Sequence, residues 1–142
     1  MVDVEAAKKS ATEEADNWRN VYVDYMEKFK WDVRMEIWMG NPAVIMPRLD
    51  QFSSKQDRLD NLDSVAKCLT EKFLNKGFIH TDIYWRNIGY FKHEGAIIVV
   101  MLDLRASRKF RDDDDINWVG IAIKNLKARA NIAPGSEDEQ IS

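Results

Sequence analysis

The sequence has a single cysteine, Cys68, so it cannot form an intramolecular disulfide and suits a reducing compartment. It also lacks an excess of positive charge, because 21 Lys and Arg residues stand against 24 Asp and Glu residues and the formal net charge is -3. This balance excludes a general attraction to nucleic acid or to an anionic membrane. The longest apolar run, residues 96–102, is too short to span a bilayer, and the first residues do not follow a signal-peptide pattern. We therefore expect a soluble protein of a reducing intracellular compartment, which includes a host cell that receives an effector.

Several motifs that would identify a chemistry are missing as well. The sequence contains no Gly-rich phosphate loop, no His/Cys zinc spacing, no nucleophile elbow and no internal repeat. What remains is a globular composition, with 45% hydrophobic and 32% charged residues in 142 positions. This length and composition predict one folded domain over residues 1–133, followed by a disordered acidic tail over residues 134–142.

Hydrophobic periodicity predicts about three main helices. A capping box at Ser10-x-x-Glu13 and apolar residues three and four positions apart predict a first helix over residues 12–29. Ser53-Ser54 opens a polar segment, after which apolar residues from Leu59 to Phe73 predict a second helix. This helix ends at Gly77 as a left-handed cap and carries Cys68 as a small buried residue. The third helix covers residues 116–130 and is capped by one of the four aspartates at 112–115, which we interpret as a cap and solvated turn, with a cation site as the alternative.

Alternating and apolar segments predict two antiparallel hairpins. The first joins residues 31–39 to residues 43–46 through a turn at Gly40-Asn41-Pro42. The second pairs residues 88–91 with residues 96–102 through the turn at 92–95. In the second hairpin Asn87 enters at the end where Asp103 leaves, so the two side chains are expected to lie near each other. A carboxylate and a carboxamide at adjoining strand ends suit Mg²⁺, and Asp82 in the preceding loop is then available to accept a proton.

These residues form the pattern His80-x-Asp82-x-x-x-x-Asn87, followed downstream by Asp103-Leu-Arg105. The pattern resembles the catalytic loop H-R-D-L-x-x-x-N and the D-F-G motif of eukaryotic-type protein kinases and their small-molecule kinase relatives. It is also similar to the kinase-like C-terminal domains of Crinkler-type secreted effectors. The resemblance covers residues 32–103 and implies an α+β kinase-like core with small antiparallel hairpins and much of the small lobe missing. Residues 48–52 would be the hinge between the lobes.

The resemblance also implies roles for individual residues. Asp82 would be the catalytic base, with His80 as a structural support of its loop, and Asn87 and Asp103 would hold Mg²⁺. Tyr84 and Arg86 would lie beside the bound ATP. The sequence departs from the kinase pattern at Thr81, at Tyr84, which replaces a phosphate-contacting lysine, and at Leu104-Arg105. Each predicted site residue also has a purely structural interpretation, such as a core histidine or loop residues that bond to the backbone.

Three functions from different classes follow. The first is a degenerate kinase-like domain that acts mainly by binding a protein partner or a second copy of itself, as a pseudokinase or effector module. It is preferred because the family's Gly-rich loop and strand lysine have no counterpart here, which leaves Glu13 or Glu14 without the lysine that pairs a helix glutamate in kinases. The second is a phosphotransferase that uses Mg²⁺ and ATP through Asp82, Asn87 and Asp103. The third is an unrelated α+β interaction domain. The motifs leave open whether the protein is an enzyme.

Overall fold

The computed structural model describes residues 3–131, and the predicted tail at 134–142 lies outside them. The elements follow in the order α1 (Val4–Val21), α2 (Val23–Lys28), β1 (Arg34–Trp38), β2 (Asn41–Ile45), β3 (Asp50–Gln51), α3 (Lys55–Asp60), α4 (Leu62–Cys68), β4 (Phe78–His80), β5 (Ile88–His93), β6 (Ala96–Met101), β7 (Ser107–Lys109) and α5 (Trp118–Ala128). The strands form three small antiparallel sheets, which are β1–β2, β3–β5–β6 and β4–β7. The described chain is therefore an α+β fold with small antiparallel sheets, as predicted.

Two of the three predicted helices are each divided. The first begins at Val4 rather than at residue 12, because the Asp3 carboxylate caps it by accepting from the N–H groups of Glu5 and Ala6. The predicted capping box at Ser10 is therefore wrong. The helix also breaks at Tyr22, which lies outside helical geometry at φ -109° and ψ 32°.

The second predicted helix consists of α3 and α4, followed by a wide π turn at Leu69–Phe73 and a tight 3₁₀ turn at Leu74–Lys76. Its predicted end at Gly77 is confirmed, and its beginning is set by Ser54. Ser54 Oγ accepts from the Asp57 N–H at 3.1 Å, and Gly77 ends the segment at φ 81°.

The third predicted helix, α5, is shorter than expected and begins at Trp118. Its N-cap position is Asn117, whose side chain makes no capping bond, so the predicted aspartate N-cap is wrong. Asp115 instead accepts from the Asn117 N–H at 2.8 Å, and Asp114 pairs with Arg108 at 2.7 Å. That ion pair lowers the pKa of Asp114 to about 2. The aspartate run thus stabilises a turn, and among residues 3–131 no group of three or more His, Cys, Asp or Glu side chains is arranged to hold a metal ion.

Both predicted hairpins are present, with tighter turns than expected. Trp38 pairs with Asn41 and His93 pairs with Ala96, so each loop has two residues. The first turn is Met39-Gly40 rather than residues 40–42, and Pro42 lies within β2 opposite Ile37. Both residues of each loop have positive φ, the geometry that matches the twist of paired strands.

The core is formed by buried side chains of α1, α4 and the turn after it, β5, β6 and α5. Its largest fully buried side chains include Trp18, Tyr22, Phe73 and Met101. Tyr22 accepts a hydrogen bond from the Met101 N–H at 2.6 Å, which fixes the end of α1 to the end of β6. Because β6 leads directly into Asp103, this core contact also sets the position of the candidate site.

Candidate functional site

The His80 ring lies at the centre of the candidate site and is almost fully buried at the end of β4. Its Nδ1 accepts from the Asp82 N–H at 3.1 Å, so the ring proton lies on Nε2, which donates to the Leu102 carbonyl at 2.8 Å. Burial lowers the pKa of His80 below its usual value, which keeps the ring neutral. The ring therefore joins the loop that carries Asp82 to the end of β6.

The side chains of Asp82 and Asn87 are in direct contact. Asn87 Nδ2 donates to Asp82 Oδ2 at 2.9 Å and to the Asp82 carbonyl at 2.8 Å. The same carboxylate accepts from Arg86 Nη2 at 3.1 Å. The Asp82 carboxylate is thus held in one orientation by two donors, while its side chain keeps 32% of its surface exposed.

The backbone brings Asp103 to the same edge. The Leu102 N–H donates to the Asn87 carbonyl at 2.6 Å, and Asp103 follows in a left-handed conformation at φ 53° and ψ 64°. Left-handed geometry is uncommon for a residue with a side chain, and such residues concentrate at functional sites. The Thr81 N–H and Oγ1 both donate to the Ala106 carbonyl, at 2.9 Å and 3.0 Å, which fastens the loop to the segment after Asp103.

Arg105 lies between the Asp103 carboxylate and Glu14 of α1. The Asp103 carboxylate accepts from Arg105 Nε at 2.9 Å, and the same nitrogen lies 3.9 Å from Glu14 Oε1. Burial raises the pKa of the Glu14 carboxyl, with Arg105 opposing the shift and Asp103 adding to it. Glu14 lines a cleft of about 370 Å³ between α1 and β2, next to Arg105.

A further cleft of about 410 Å³ separates residues 46–51 from Leu102. Gln51 Nε2 donates to the Arg86 carbonyl at 2.9 Å, so this segment contacts the loop. Its close approach to β5 depends on Gly89, where a Cβ atom would come within 3.0 Å of the Leu49 Cβ. The segment that we predicted as a hinge thus borders the same edge as Asn87 and Asp103.

The donor set at this edge fits a Mg²⁺ ion. Asn87 uses only its Nδ2 atom in hydrogen bonds, so among residues 3–131 no donor occupies its Oδ1 atom. The Asp103 side chain keeps 26% of its surface exposed. One carboxylate and one amide oxygen are few ligands, but Mg²⁺ usually keeps several waters and takes phosphate oxygens as its other ligands. Asn87 and Asp103 could therefore hold the ion together with a phosphate.

The structure thus brings five of the six predicted site residues to this edge. His80, Asp82, Arg86 and Asn87 lie there through hydrogen bonds, and Asp103 follows Leu102, which is bonded to His80 and Asn87. Tyr84 differs, because its ring faces α5, with the Arg86 guanidinium 4.6 Å and the Arg129 guanidinium 5.3 Å from its centroid. Sequence reasoning missed Gln51 and Arg105, and it named Glu14 only as a lysine partner. Gln51 contacts a residue 35 positions away and Arg105 contacts Glu14, 91 positions away, and no local sequence pattern indicates such contacts.

No curated protein and no solved structure matches the chain. Among residues 3–131 no helix is both long and apolar enough to cross a bilayer. The model of one family matches residues 2–91, which extend from α1 through His80, Asp82 and Asn87 into β5 and make up well over half of the chain. The protein therefore belongs to DUF5898, a family of unknown function.

Proposed function

We propose that this protein is a kinase-like domain that binds a nucleotide together with Mg²⁺ at the edge formed by Asn87 and Asp103. The observation that carries the proposal is the bonding around His80, which ties the Asp82 loop to the end of β6. These bonds bring the loop that carries Asp82 and Asn87 next to Leu102, the residue that precedes Asp103. The order of the elements gives further support, because a helix, a polar loop and a hairpin whose second strand leads toward Asp103 follow one another in the order of the kinase motifs.

Each residue has a defined part in this proposal. Asn87 and Asp103 hold the ion, and the ion supplies charge neutralisation between the phosphates. The cleft between residues 46–51 and Leu102 offers space for the base of the nucleotide. Arg86 and Asn87 orient the Asp82 carboxylate, which would accept the proton of an attacking hydroxyl if the domain transfers phosphate.

A second candidate, a module that binds a protein partner or a second copy of the chain, is favoured by the tip of the β1–β2 hairpin. Ile37, Trp38 and Met39 are 49%, 68% and 87% exposed there. Three consecutive exposed apolar residues are unusual on a surface that contacts only water. A pseudokinase or effector module would combine this surface with the nucleotide site. Light scattering after size-exclusion chromatography tests self-association, and Trp38→Ser should shift a dimer toward monomer if the tip forms the contact.

Thermal unfolding with nucleotide tests the primary proposal. Millimolar ATP with Mg²⁺ should raise Tm, because tenfold more ligand than its Kd stabilises the folded state by about 1.4 kcal/mol, or about 3 to 5 °C for a domain of this size. Asp103→Asn keeps a residue type that tolerates left-handed geometry but removes the charge, so it should abolish most of the rise.

Asp63→Asn is the matched control, because Asp63 is exposed on α4, away from the site. The proposal fails if the wild-type protein shows no shift, or if both variants shift equally. Asp82→Asn separates binding from catalysis, since it should retain the thermal shift while removing any phosphate transfer.

A further inference from the structure

A third cleft lies on the α5 side of the polar loop. His80, Thr81 and Tyr84 line it together with residues of α5, whereas Asn87 and Asp103 do not. Its volume is about 350 Å³, within the range of roughly 300 to 1,000 Å³ that is typical of small-molecule sites. Apolar side chains from both walls line it, namely Ile79, Ile83, Trp118, Ile121 and Ala122. Ile121 is 47% exposed, so a large apolar residue of α5 remains open to solvent beside the cleft.

Arg129 carries the positive charge of this cleft, and the polar side chains of His80, Thr81 and Asn125 line it as well. Arg129 lines it, and its guanidinium lies over the Tyr84 ring. Arg86 lies over the same ring but pairs with Asp82, whereas no carboxylate of residues 3–131 forms an ion pair with Arg129. The Trp118 side chain also borders the cleft, and its buried Nε1–H has no acceptor in the described part of the chain. A buried donor without an acceptor is unfavourable, and it marks a place where an acceptor could be supplied.

We propose that this cleft binds a small organic carboxylate with an apolar body. The isoleucines and Ala122 would cover the body of the ligand, and Arg129 would pair with its carboxylate. Charge complementarity selects the class, because the cleft presents a guanidinium that forms no ion pair within residues 3–131, beside an apolar surface, and this guanidinium would repel an apolar cation. The proposal goes beyond the nucleotide site, since it uses residues of α5 that the nucleotide does not contact.

The experiment is calorimetric titration of the full 142-residue chain with 1-naphthoate. The neutral analogue 1-naphthalenemethanol has the same apolar body and is expected to bind about tenfold more weakly, because it cannot pair with Arg129. Arg129→Gln should weaken naphthoate by a similar factor. Lys127→Gln removes a positive charge from the exposed part of the same helix, outside the cleft, and should leave the affinity within about twofold.

Three results would overturn the proposal: no binding of naphthoate at millimolar concentration, equal affinity for the neutral analogue, or unchanged affinity in Arg129→Gln. Binding that appears only after removal of residues 132–142 would also overturn it, because the chain itself would then cover the cleft. Asp103→Asn is expected to bind naphthoate as the wild type does. The naphthoate titration therefore tests this cleft independently of whether the nucleotide site exists.

Discussion

The substitution Tyr22→Phe removes one hydroxyl from the core and should destabilise the protein, because this hydroxyl accepts a hydrogen bond from the backbone of β6. The Leu102 N–H donates to the Asn87 carbonyl across the β5–β6 ladder. Because amides alternate in direction along an antiparallel strand, the neighbouring Met101 N–H points away from β5. It donates to the Tyr22 hydroxyl at 2.6 Å, and Met101 is fully buried. Phenylalanine would therefore leave a buried N–H without an acceptor.

An unsatisfied buried group costs about 1 to 3 kcal/mol, which corresponds to a fall in Tm of roughly 3 to 10 °C for a domain of this length. Urea and thermal unfolding measure both quantities. The matched control is Tyr25→Phe, because Tyr25 stacks on Tyr22 at 5.7 Å but makes no side-chain hydrogen bond within residues 3–131. It should change stability by less than about 0.5 kcal/mol. Equal effects of the two substitutions would refute the assignment of the hydroxyl as the acceptor.

Two further predictions concern pH and backbone conformation. Burial lowers the pKa of His80, so unfolding takes up a proton as pH falls below about 6.5, and stability should decline by up to about 1.4 kcal/mol per pH unit. Urea unfolding between about pH 5.5 and 7.5 should show this dependence of stability on pH in the wild type and in His93→Gln, and a weaker one in His80→Gln. An equal pH dependence in His80→Gln would contradict the prediction. Gly77→Ala should cost about 1 to 2 kcal/mol, because Gly77 has φ 81°, although no atom would touch the added Cβ. Gly120→Ala lies within α5, where the added Cβ is equally free of neighbours, and should instead stabilise the protein by about 0.5 to 1 kcal/mol. If both substitutions changed the free energy of unfolding in the same direction, backbone conformation would not decide the effect.

Local patterns were sufficient for the four strands of the two hairpins and for one helix end. Alternation and Gly-containing turns predicted both hairpins, and Gly77 was identified as the end of one helical segment, whereas β3, β4 and β7 were not predicted. Cys68 is buried as predicted, and burial raises the pKa of its thiol to about 11. These features depend on a few neighbouring residues, so the sequence alone carries the information.

Long-range contacts account for what was missed. The first helix breaks where the Tyr22 hydroxyl reaches Met101, which is 79 positions away. The helix starts earlier than predicted because the Asp3 side chain caps it at Val4. The first turns after this cap carry few large apolar residues that would have indicated a helix. In the site, the motif predicted that Asp82, Asn87 and Asp103 lie close together, but Gln51, Glu14 and Arg105 join through tertiary structure. Local spacing therefore predicts the centre of the site and not its surroundings.

The charges of the candidate site lead to a last prediction, which depends on the proposed Mg²⁺ ligands. Each carboxylate already has an arginine, since Asp82 pairs with Arg86 and Asp103 pairs with Arg105. An ion bound to Asp103 must compete with Arg105, whose side chain is 61% exposed. Exposed pairs contribute at most about 1 kcal/mol, so Arg105→Gln should tighten Mg²⁺ binding by about two- to fivefold. Titrating Mg²⁺ at fixed ATP and following Tm measures the change. The control is Arg19→Gln, which removes an exposed arginine of α1 that pairs with Asp16 and not with Asp103. It should leave the Mg²⁺ dependence of Tm unchanged. Weaker binding in Arg105→Gln would mean that Arg105 assists the phosphate rather than competing with the metal.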